Sequence, residues 1–288
     1  MSGTSLRPKA LITGASSGIG EAFARRYARD GYDCILVGRN AAKLDELVGE
    51  LRRNNVECEA LVADLSTDEG IEATAHRAIG CDALVLNAGI THAGSVGKTP
   101  PDELAALMRL LALGVMRVAE VAVPSMVERK RGDVIIVSSV AAFTPMRKSS
   151  AYAAAKSFVT AYGRSAHLEL KSKGVRVCVL APGYVQTELM KRAGLHHVER
   201  NMPRFMWLTP DEVVEATLVG LARGRDVVVP GWIYRAWKPL MGTRFSQWLW
   251  AAMLGRGKKN KKHSSHDDHH GKKHKKKHKK KKKKSKDD

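Results

Sequence analysis

The chain contains 288 residues, of which 44% are hydrophobic, so it is long and apolar enough to form a sizeable buried core. Its net charge of +20 is uneven, because residues 256–288 hold 17 Lys and Arg against 4 Asp and contribute +13. The remaining +7 is mild and gives no reason to expect nucleic-acid binding by the folded part. We find no leader-like apolar stretch and no uninterrupted apolar run of about 18 residues, and therefore expect neither a signal peptide nor a membrane-spanning helix.

Short β-rich runs alternate with longer helical patterns along most of the chain. This alternation predicts a parallel α/β sheet, and the nearly continuous apolar strands indicate that helices cover both of its faces. We find no internal repeat and predict one domain over residues 1–230. The predicted strands are 10–13, 34–37, 60–63, 83–86, 134–137, 175–180 and 227–229, and the predicted helices include 22–29, 43–53, 102–128, 151–171 and one beginning near 209.

The four cysteines predict a reducing environment. None belongs to a CxxC pair, and all lie within or beside apolar runs typical of strands. We therefore expect buried, reduced thiols without a metal or a disulfide bond, and a cytoplasmic location. They are Cys34, Cys58, Cys81 and Cys178.

The first predicted strand leads into the sequence TGASSGIG at 13–20, after which a helix begins. Glycines between a strand and a helix allow a tight turn and a close approach to a pyrophosphate, and the helix N-terminus offers free N–H groups to phosphates. This context predicts a dinucleotide site. Its expected binding residues are Thr13, Gly14, Ser16, Gly18, Ile19 and Gly20.

The end of the second predicted strand indicates which dinucleotide is bound. A carboxylate expected there for a free ribose 2′-hydroxyl is missing, and the strand ends with Val37-Gly38-Arg39-Asn40. Arg39 is suited to pair with a 2′-phosphate, which favours NADP(H) over NAD(H). The alternative is that Arg39 is an ordinary solvated surface charge.

Three polar residues are candidates for proton transfer. Tyr152 and Lys156 are four positions apart in a predicted helix and therefore share one face, while Ser139 follows the fifth predicted strand. A neighbouring ammonium favours the phenolate and is expected to lower the pKa of the tyrosine towards neutrality.

Six motifs in unbroken order over about residues 8–230 resemble the classical short-chain dehydrogenase/reductase (SDR) family. The resemblance implies a single-domain α/β fold with a Rossmann-type, doubly wound, parallel seven-stranded sheet. It also implies that Tyr152 is the general acid, that Lys156 lowers its pKa and holds the nicotinamide ribose, and that Ser139 orients the substrate carbonyl. The motifs are TGASSGIG at 13–20, Asp64-Leu65, Asn87-Ala88-Gly89, Ser139, Tyr152 with Lys156, and Pro182-Gly183-Tyr184-Val185-Gln186-Thr187.

The same resemblance implies further cofactor contacts. Asp64 would contact the adenine; the alternative is that it only caps the following helix. Asn87 would steady the sheet beside the cofactor; the alternative is that it is purely structural. Thr187 would hold the nicotinamide end or simply cap a helix. The remaining implied binding residues are Leu65, Ala88, Gly89, Pro182, Gly183 and Val185.

One position departs from the family pattern. An ungapped count places Leu111 where the family usually has an asparagine that kinks the helix and holds a water leading protons to the lysine. Leucine binds no such water, so the proton path from Lys156 to solvent is in question.

Two apolar segments follow the sixth strand. Residues 184–208 mix apolar and basic side chains and are typical of a substrate lid, with an ordinary surface helix as the alternative. Residues 231–255 contain four of the five tryptophans, and their spacing from residue 241 predicts an amphipathic helix. That segment packs on the enzyme's own pocket or a second subunit, or lies at a membrane surface through 232–254.

Residues 256–288 contain no aliphatic side chain and predict a disordered tail, which would bind polyanions non-specifically. Its six histidines show no spacing of a closed metal site.

Together these features predict an NADP(H)-dependent enzyme that interconverts a carbonyl and an alcohol on a small apolar substrate, resembling an acyl chain or a sterol. A dinucleotide-binding sensor or scaffold with little catalysis is the alternative. The resemblance further implies a homodimer or tetramer through the helices near 102–128 and 151–171.

Overall fold

The computed structural model describes residues 7–144, 147–188, 202–237 and 240–243. Its centre is a seven-stranded sheet in the order β3-β2-β1-β4-β5-β6-β9, and every neighbouring pair is parallel. The predicted seven-stranded parallel sheet is therefore confirmed. The strands are β1 Lys9–Thr13, β2 Asp33–Gly38, β3 Cys58–Val62, β4 Ala83–Leu86, β5 Gly132–Val137, β6 Val175–Leu180 and β9 Val227–Val228.

Helices cover both faces of the sheet. One apolar core joins the strands to α1, α2 and α7, and a second joins the opposite face to α3, α5 and α6. This arrangement explains why β1, β4 and β6 carry almost no polar side chain, since both of their faces are buried. The helices are α1 Gly18–Arg29, α2 Ala41–Leu51, α3 Asp68–Ala78, α4 Pro101–Met108, α5 Gly114–Glu128, α6 Ser150–Leu170, α7 Pro210–Ala222 and α8 Trp232–Trp237.

The strand order reverses between β1 and β4. In open parallel sheets the crevice at the carboxyl ends of such strands is where ligands bind. The loops that leave β1, β4, β5 and β6 all lie at this edge, because the strands are parallel. The fold therefore brings the glycine turn and residues 87–89, 138–144 and 181–187 to one edge of the sheet.

The segment predicted as one helix over 102–128 is interrupted. A π-helical turn, Arg109–Leu113, joins α4 to α5. By length and composition alone, the whole helix Pro101–Glu128 is long and apolar enough to cross a membrane. It is packed as a core helix, because α5 contacts α3 and α6 and buries Val118 and Met126.

Two strands of two residues each were not predicted. Tyr184–Val185 (β7) pairs with Trp207–Leu208 (β8) and closes the base of the segment between them. Such short strands have no alternating pattern that sequence could reveal.

All four cysteines are free and buried, as expected. Cys34 and Cys58 are partners in the register of β2 and β3. Burial raises the pKa of Cys81 to about 11 and that of Cys178 to about 12, so these thiols stay protonated.

Candidate active site

The turn after β1 is fixed by hydrogen bonds to the loop after β4. The Thr13 hydroxyl accepts from the backbone N–H groups of Asn87 (2.8 Å) and Ala88 (2.9 Å) and donates to the Val85 carbonyl (3.3 Å). The Asn87 side-chain amide donates to the carbonyls of Thr13 (2.9 Å) and Gly14 (3.3 Å). Asn87 therefore holds two loops together, which is the structural role weighed for it from the sequence.

The glycines of this turn leave no room for side chains. A Cβ at Gly20 would lie 2.3 Å from the Gly14 carbonyl oxygen, and Gly14 has a φ of +66° that L side chains rarely adopt. A Cβ at Gly18 would lie 2.7 Å from the Thr187 methyl group, so Thr187 lies directly beside the turn. The site thus combines two segments that are far apart in the chain.

The N-terminus of α1 is suited to an anion. Ser17 occupies the capping position but makes no side-chain capping hydrogen bond. The first N–H groups of α1 are therefore not capped by Ser17, and they lie at the sheet edge where β1 ends, as a bound phosphate requires. Together with the crowded glycines, this geometry fits a dinucleotide pyrophosphate.

Arg39 and Asp64 lie together at the ends of β2 and β3. Their closest side-chain atoms, Arg39 Nη1 and Asp64 Oδ2, are 3.7 Å apart, and the Arg39 side chain is 65% exposed. The hydroxyl of Ser16 lies near Gly38, the residue before Arg39. Arg39 is thus an exposed cation beside the glycine turn.

Asp64 is not the cap of α3, because the Thr67 side chain accepts from Gly70 N–H at 3.1 Å in that position. Burial raises the pKa of Asp64, but hydrogen bonds from Ser66 and the nearby charge of Arg39 outweigh it and lower the pKa overall. The capping alternative for Asp64 is therefore wrong: its Oδ1 accepts from the Ser66 N–H (2.9 Å) and hydroxyl (2.7 Å), and its Oδ2 lies near Arg39. The adjacent Leu65 is buried.

Lys156 is buried on α6 and donates to the Val137 carbonyl at 2.8 Å, at the end of β5. Burial lowers its pKa from 10.5 to about 8, so the lysine is still charged at neutral pH. Its Nζ lies 6.0 Å from the centre of the Tyr152 ring. The predicted pair therefore shares one helix face.

The pKa of Tyr152 differs from our expectation. Burial raises the pKa of the phenol, while the neighbouring Ser139 side chain lowers it by less. The net direction is upward, so the prediction that Lys156 brings this pKa towards neutrality is wrong for the protein described here. The reason is that desolvation of the phenolate outweighs the neighbouring groups.

Ser139 follows β5 and its side chain is close enough to Tyr152 to affect the pKa of the phenol. The Ser139 hydroxyl accepts from Ala141 N–H at 3.1 Å and begins the short 3₁₀ turn Val140–Ala142. The neighbouring Ser138, which sequence reasoning missed, lies 2.6 Å from the Thr160 hydroxyl and donates to the Lys156 carbonyl at 3.0 Å. Ser138 therefore fixes α6 against β5, and through it the position of Lys156.

Leu111 is fully buried in the π-helical turn beside the lysine. A Cβ at Gly89 would lie 3.1 Å from Leu111 Cδ2 and 3.8 Å from Lys156 Nζ, so all three groups meet. The helix is distorted there although the asparagine is replaced by leucine. An apolar side chain thus lies next to the buried ammonium.

Residues 181–188 complete the site. The Val140 N–H donates to the Pro182 carbonyl at 3.0 Å, which joins the turn at Pro182 and Gly183 to the Ser139 loop. A Cβ at Gly183 would lie 2.1 Å from Cζ of Tyr234, a residue of α8 that sequence reasoning did not select. Val185 is buried in β7.

Some predicted features lie outside the described residues. These are the middle of the predicted lid with Met190 and Leu195, the amphipathic helix with Trp248 and Trp250, and the tail 256–288. Within the described part of the chain, no group of three or more His, Cys, Asp or Glu side chains could hold a metal ion.

A glycine turn at the switch point of a doubly wound sheet, with proton-transferring side chains beside it, is the arrangement of a nucleotide-binding oxidoreductase. The family model described as short chain dehydrogenase matches residues 8–197. The chain therefore belongs to the short-chain dehydrogenase family.

Individual relatives agree with this membership. An uncharacterized oxidoreductase of Myxococcus xanthus is 32% identical over 227 residues, which cover 77% of this chain and 87% of the relative. A very-long-chain 3-oxoacyl-CoA reductase of Anas platyrhynchos is 30% identical over 248 residues, or 81% and 76% of the two chains. A solved short-chain dehydrogenase from Sphingobium yanoikuyae in complex with NADPH is 32% identical, has a TM-score of 0.72, and covers 90% of this chain and 99% of its own.

Proposed function

We propose that this oxidoreductase binds NADPH and reduces a carbonyl group on a small apolar substrate, with Tyr152 as the proton donor. The observation that carries the proposal is the meeting of Ser139, Tyr152 and Lys156 at the sheet edge that holds the glycine turn. NADPH would supply a hydride to the carbonyl carbon. The Tyr152 hydroxyl would give its proton to the carbonyl oxygen.

Reduction requires a protonated Tyr152, and burial keeps the phenol protonated at neutral pH, although a raised pKa also makes it a weaker acid. A phenol that keeps its proton at neutral pH is ready to act as an acid, and Ser139 is placed to hold the substrate oxygen near it. Lys156, still charged at neutral pH, stabilises negative charge that develops on the tyrosine after proton transfer. Its ammonium would also donate to the nicotinamide ribose.

The preference for NADPH rests on Arg39. The exposed guanidinium belongs to the residue after Gly38, which lies near the Ser16 hydroxyl, and the end of β2 is where a 2′-phosphate of the adenosine would arrive. Its ion pair with Asp64 is a long one, 3.7 Å, which leaves its N–H groups able to turn to a phosphate. The Sphingobium yanoikuyae relative in complex with NADPH supports this choice.

The apolar substrate is inferred from the surroundings of the Ser139 loop. A small apolar core at this edge contains Met202, Met206 and Tyr234, against which Phe143 and Trp207 are packed. The relative named as a very-long-chain 3-oxoacyl-CoA reductase supports an acyl chain. We propose a hydrophobic ketone or aldehyde without choosing between an acyl chain and a sterol-like ring system.

A membrane surface is a proposed partner. Phe205 and Trp232 are 69% and 73% exposed, next to the exposed basic residues Arg204 and Arg235. No Asp or Glu occurs between residues 227 and 266. Aromatic rings with basic neighbours suit the interface of an anionic bilayer. The cytoplasmic location stays a prediction.

A homodimer or tetramer is proposed through α4, α5 and α6. Leu104 of α4, Leu113 of the π-helical turn before α5 and Phe158 of α6 are apolar and exposed. Exposed apolar side chains on neighbouring helices are typical of a subunit interface.

Turnover with the Tyr152→Phe variant tests the proposed reaction. NADPH consumption is followed with a panel of hydrophobic ketones, aldehydes and 3-oxoacyl thioesters. Because the variant lacks only one hydroxyl, kcat is expected to fall at least ~100-fold while the Kd for NADPH changes little.

Tyr162→Phe is the matched control, since it removes a hydroxyl of the same helix that binds Glu120 at the surface. Normal turnover by Tyr152→Phe would contradict the mechanism. NADPH binding by the wild-type protein without turnover of any carbonyl would favour the sensor or scaffold instead.

A further inference from the structure

Tyr234 is the one residue of α8 that is fully inserted into the protein, with 2% of its surface exposed. Its ring lies flat on Gly183, because a Cβ there would be 2.1 Å from Cζ and 2.4 Å from both Cε atoms. Only a glycine at position 183 allows this contact. A residue beyond the last strand of the sheet thus covers a turn at the active-site edge.

The Tyr234 hydroxyl has two partners, one on each side of a long connection. It accepts from the Tyr184 N–H at 3.1 Å and donates to the Met206 carbonyl at 2.7 Å. These partners lie at the start of β7 and directly before β8, so one hydroxyl joins both ends of the segment that leaves and re-enters the sheet edge. Burial raises the pKa of Tyr234 to about 12, so the hydroxyl keeps the proton it donates.

The turn that Tyr234 holds lies between the two halves of the proposed site. On one side, the Pro182 carbonyl accepts from Val140 N–H in the Ser139 loop. On the other side, the chain continues through Tyr184 to Thr187, whose methyl group lies against Gly18 of the glycine turn. A shift of residues 182–184 would therefore disturb both the Ser139 loop and the position of Thr187 beside the glycine turn.

We propose that Tyr234 is a positioning residue that fixes the Pro182–Tyr184 turn for the nicotinamide end of the dinucleotide, which makes the C-terminal segment part of the active site. This inference rests on the proposed function for the identity of the ligand. The ring alone would serve packing, and a phenylalanine would suffice for that. The hydroxyl is what orders the turn, because without it the Tyr184 N–H and the Met206 carbonyl each lose a hydrogen bond in a buried place.

Tyr234→Phe separates these roles, since it keeps the ring on Gly183 and removes only the hydroxyl. In the cofactor-free protein, amide hydrogen exchange at Tyr184 is expected to quicken at least about tenfold, while exchange in β5 is unchanged. The Kd for NADPH is expected to rise about tenfold. With an active substrate, the KM for NADPH should rise by a similar factor. The kcat should fall less than about threefold, because Ser139, Tyr152 and Lys156 are unchanged.

Tyr32→Phe is the matched control, because Tyr32 lies beside Asp82 and Arg131 at the opposite edge of the sheet. Unchanged Tyr184 exchange and unchanged NADPH affinity in Tyr234→Phe would overturn the proposal and leave Tyr234 as a packing residue. The exchange measurement needs neither cofactor nor turnover. If the protein reduces no carbonyl, the proposed function is contradicted. The exchange measurement still tests whether Tyr234 orders the turn.

Discussion

Replacing Lys156 by methionine is expected to stabilise the folded protein near neutral pH. The ammonium is buried, and its pKa falls from 10.5 to about 8 because burial disfavours the charge. At about 1.4 kcal/mol per pH unit, the charged lysine costs the folded state about 3 kcal/mol below pH 8. Loss of the hydrogen bond to the Val137 carbonyl offsets about 1 kcal/mol of this. The variant should therefore gain about 2 kcal/mol at pH 7.

The pH dependence follows from which state binds more protons. Below pH 8 the lysine is protonated in both states, so the cost is fully present. Between pH 8 and 10.5 the unfolded chain binds more protons than the folded one, and wild-type stability rises with pH relative to the variant. At pH 10 the remaining cost is below about 1 kcal/mol. The advantage of Lys156→Met should thus be lost at that pH.

Urea unfolding followed by tryptophan fluorescence measures this difference. Wild type and Lys156→Met are compared at pH 7 and pH 10, so that other pH effects cancel between the two proteins. Lys173→Met is the matched control, because Lys173 is exposed and its loss should change stability little at either pH. A Lys156→Met variant that is less stable than wild type at pH 7, or that has the same advantage at both pH values, would contradict the stated cost of the buried charge.

Two further predictions concern the cofactor and the membrane. Arg39→Asp should raise the Kd for NADPH at least ~100-fold and change the Kd for NADH little, because it replaces a phosphate partner with a like charge. Fluorescence titration measures both Kd values, and Arg53→Asp is the control. Equal losses of affinity for both cofactors would contradict a contact with the 2′-phosphate. Deleting residues 258–288 should weaken binding to anionic vesicles by about 1 kcal/mol for each basic residue near the surface, and this loss should shrink as salt is added. Replacing Trp248 and Trp250 by serine should remove the apolar part of the binding, which salt does not screen. No preference of the full chain for anionic over neutral vesicles at low salt would rule out the membrane proposal.

The sheet was predictable from sequence because a strand buried on both faces is a nearly continuous apolar run. All seven predicted strands occur, and the glycine turn, the Asn87 loop and the Ser139 loop meet at one edge because the strands are parallel. Strand and helix ends shifted by a few residues, as for α1, which begins at Gly18 rather than at 22. Such ends depend on backbone hydrogen bonds that composition does not encode.

The contacts that sequence missed are those between distant segments. Tyr234 meets Gly183 across about 50 residues, and nothing near either residue signals the contact. The direction of the Tyr152 pKa was mistaken for a related reason. The i,i+4 spacing places the lysine on the right face, but the degree of burial of the phenol depends on tertiary packing.

The burial of every native cysteine has a practical consequence for following the C-terminal segment. None of the four thiols is open to a labelling reagent in the folded protein. A cysteine introduced at the exposed Trp232 position is then the one accessible thiol among the residues that the structure describes, without removal of the native ones. Its label would stand on the face of α8 opposite Tyr234, and would report on what α8 touches while the anchoring residue stays intact.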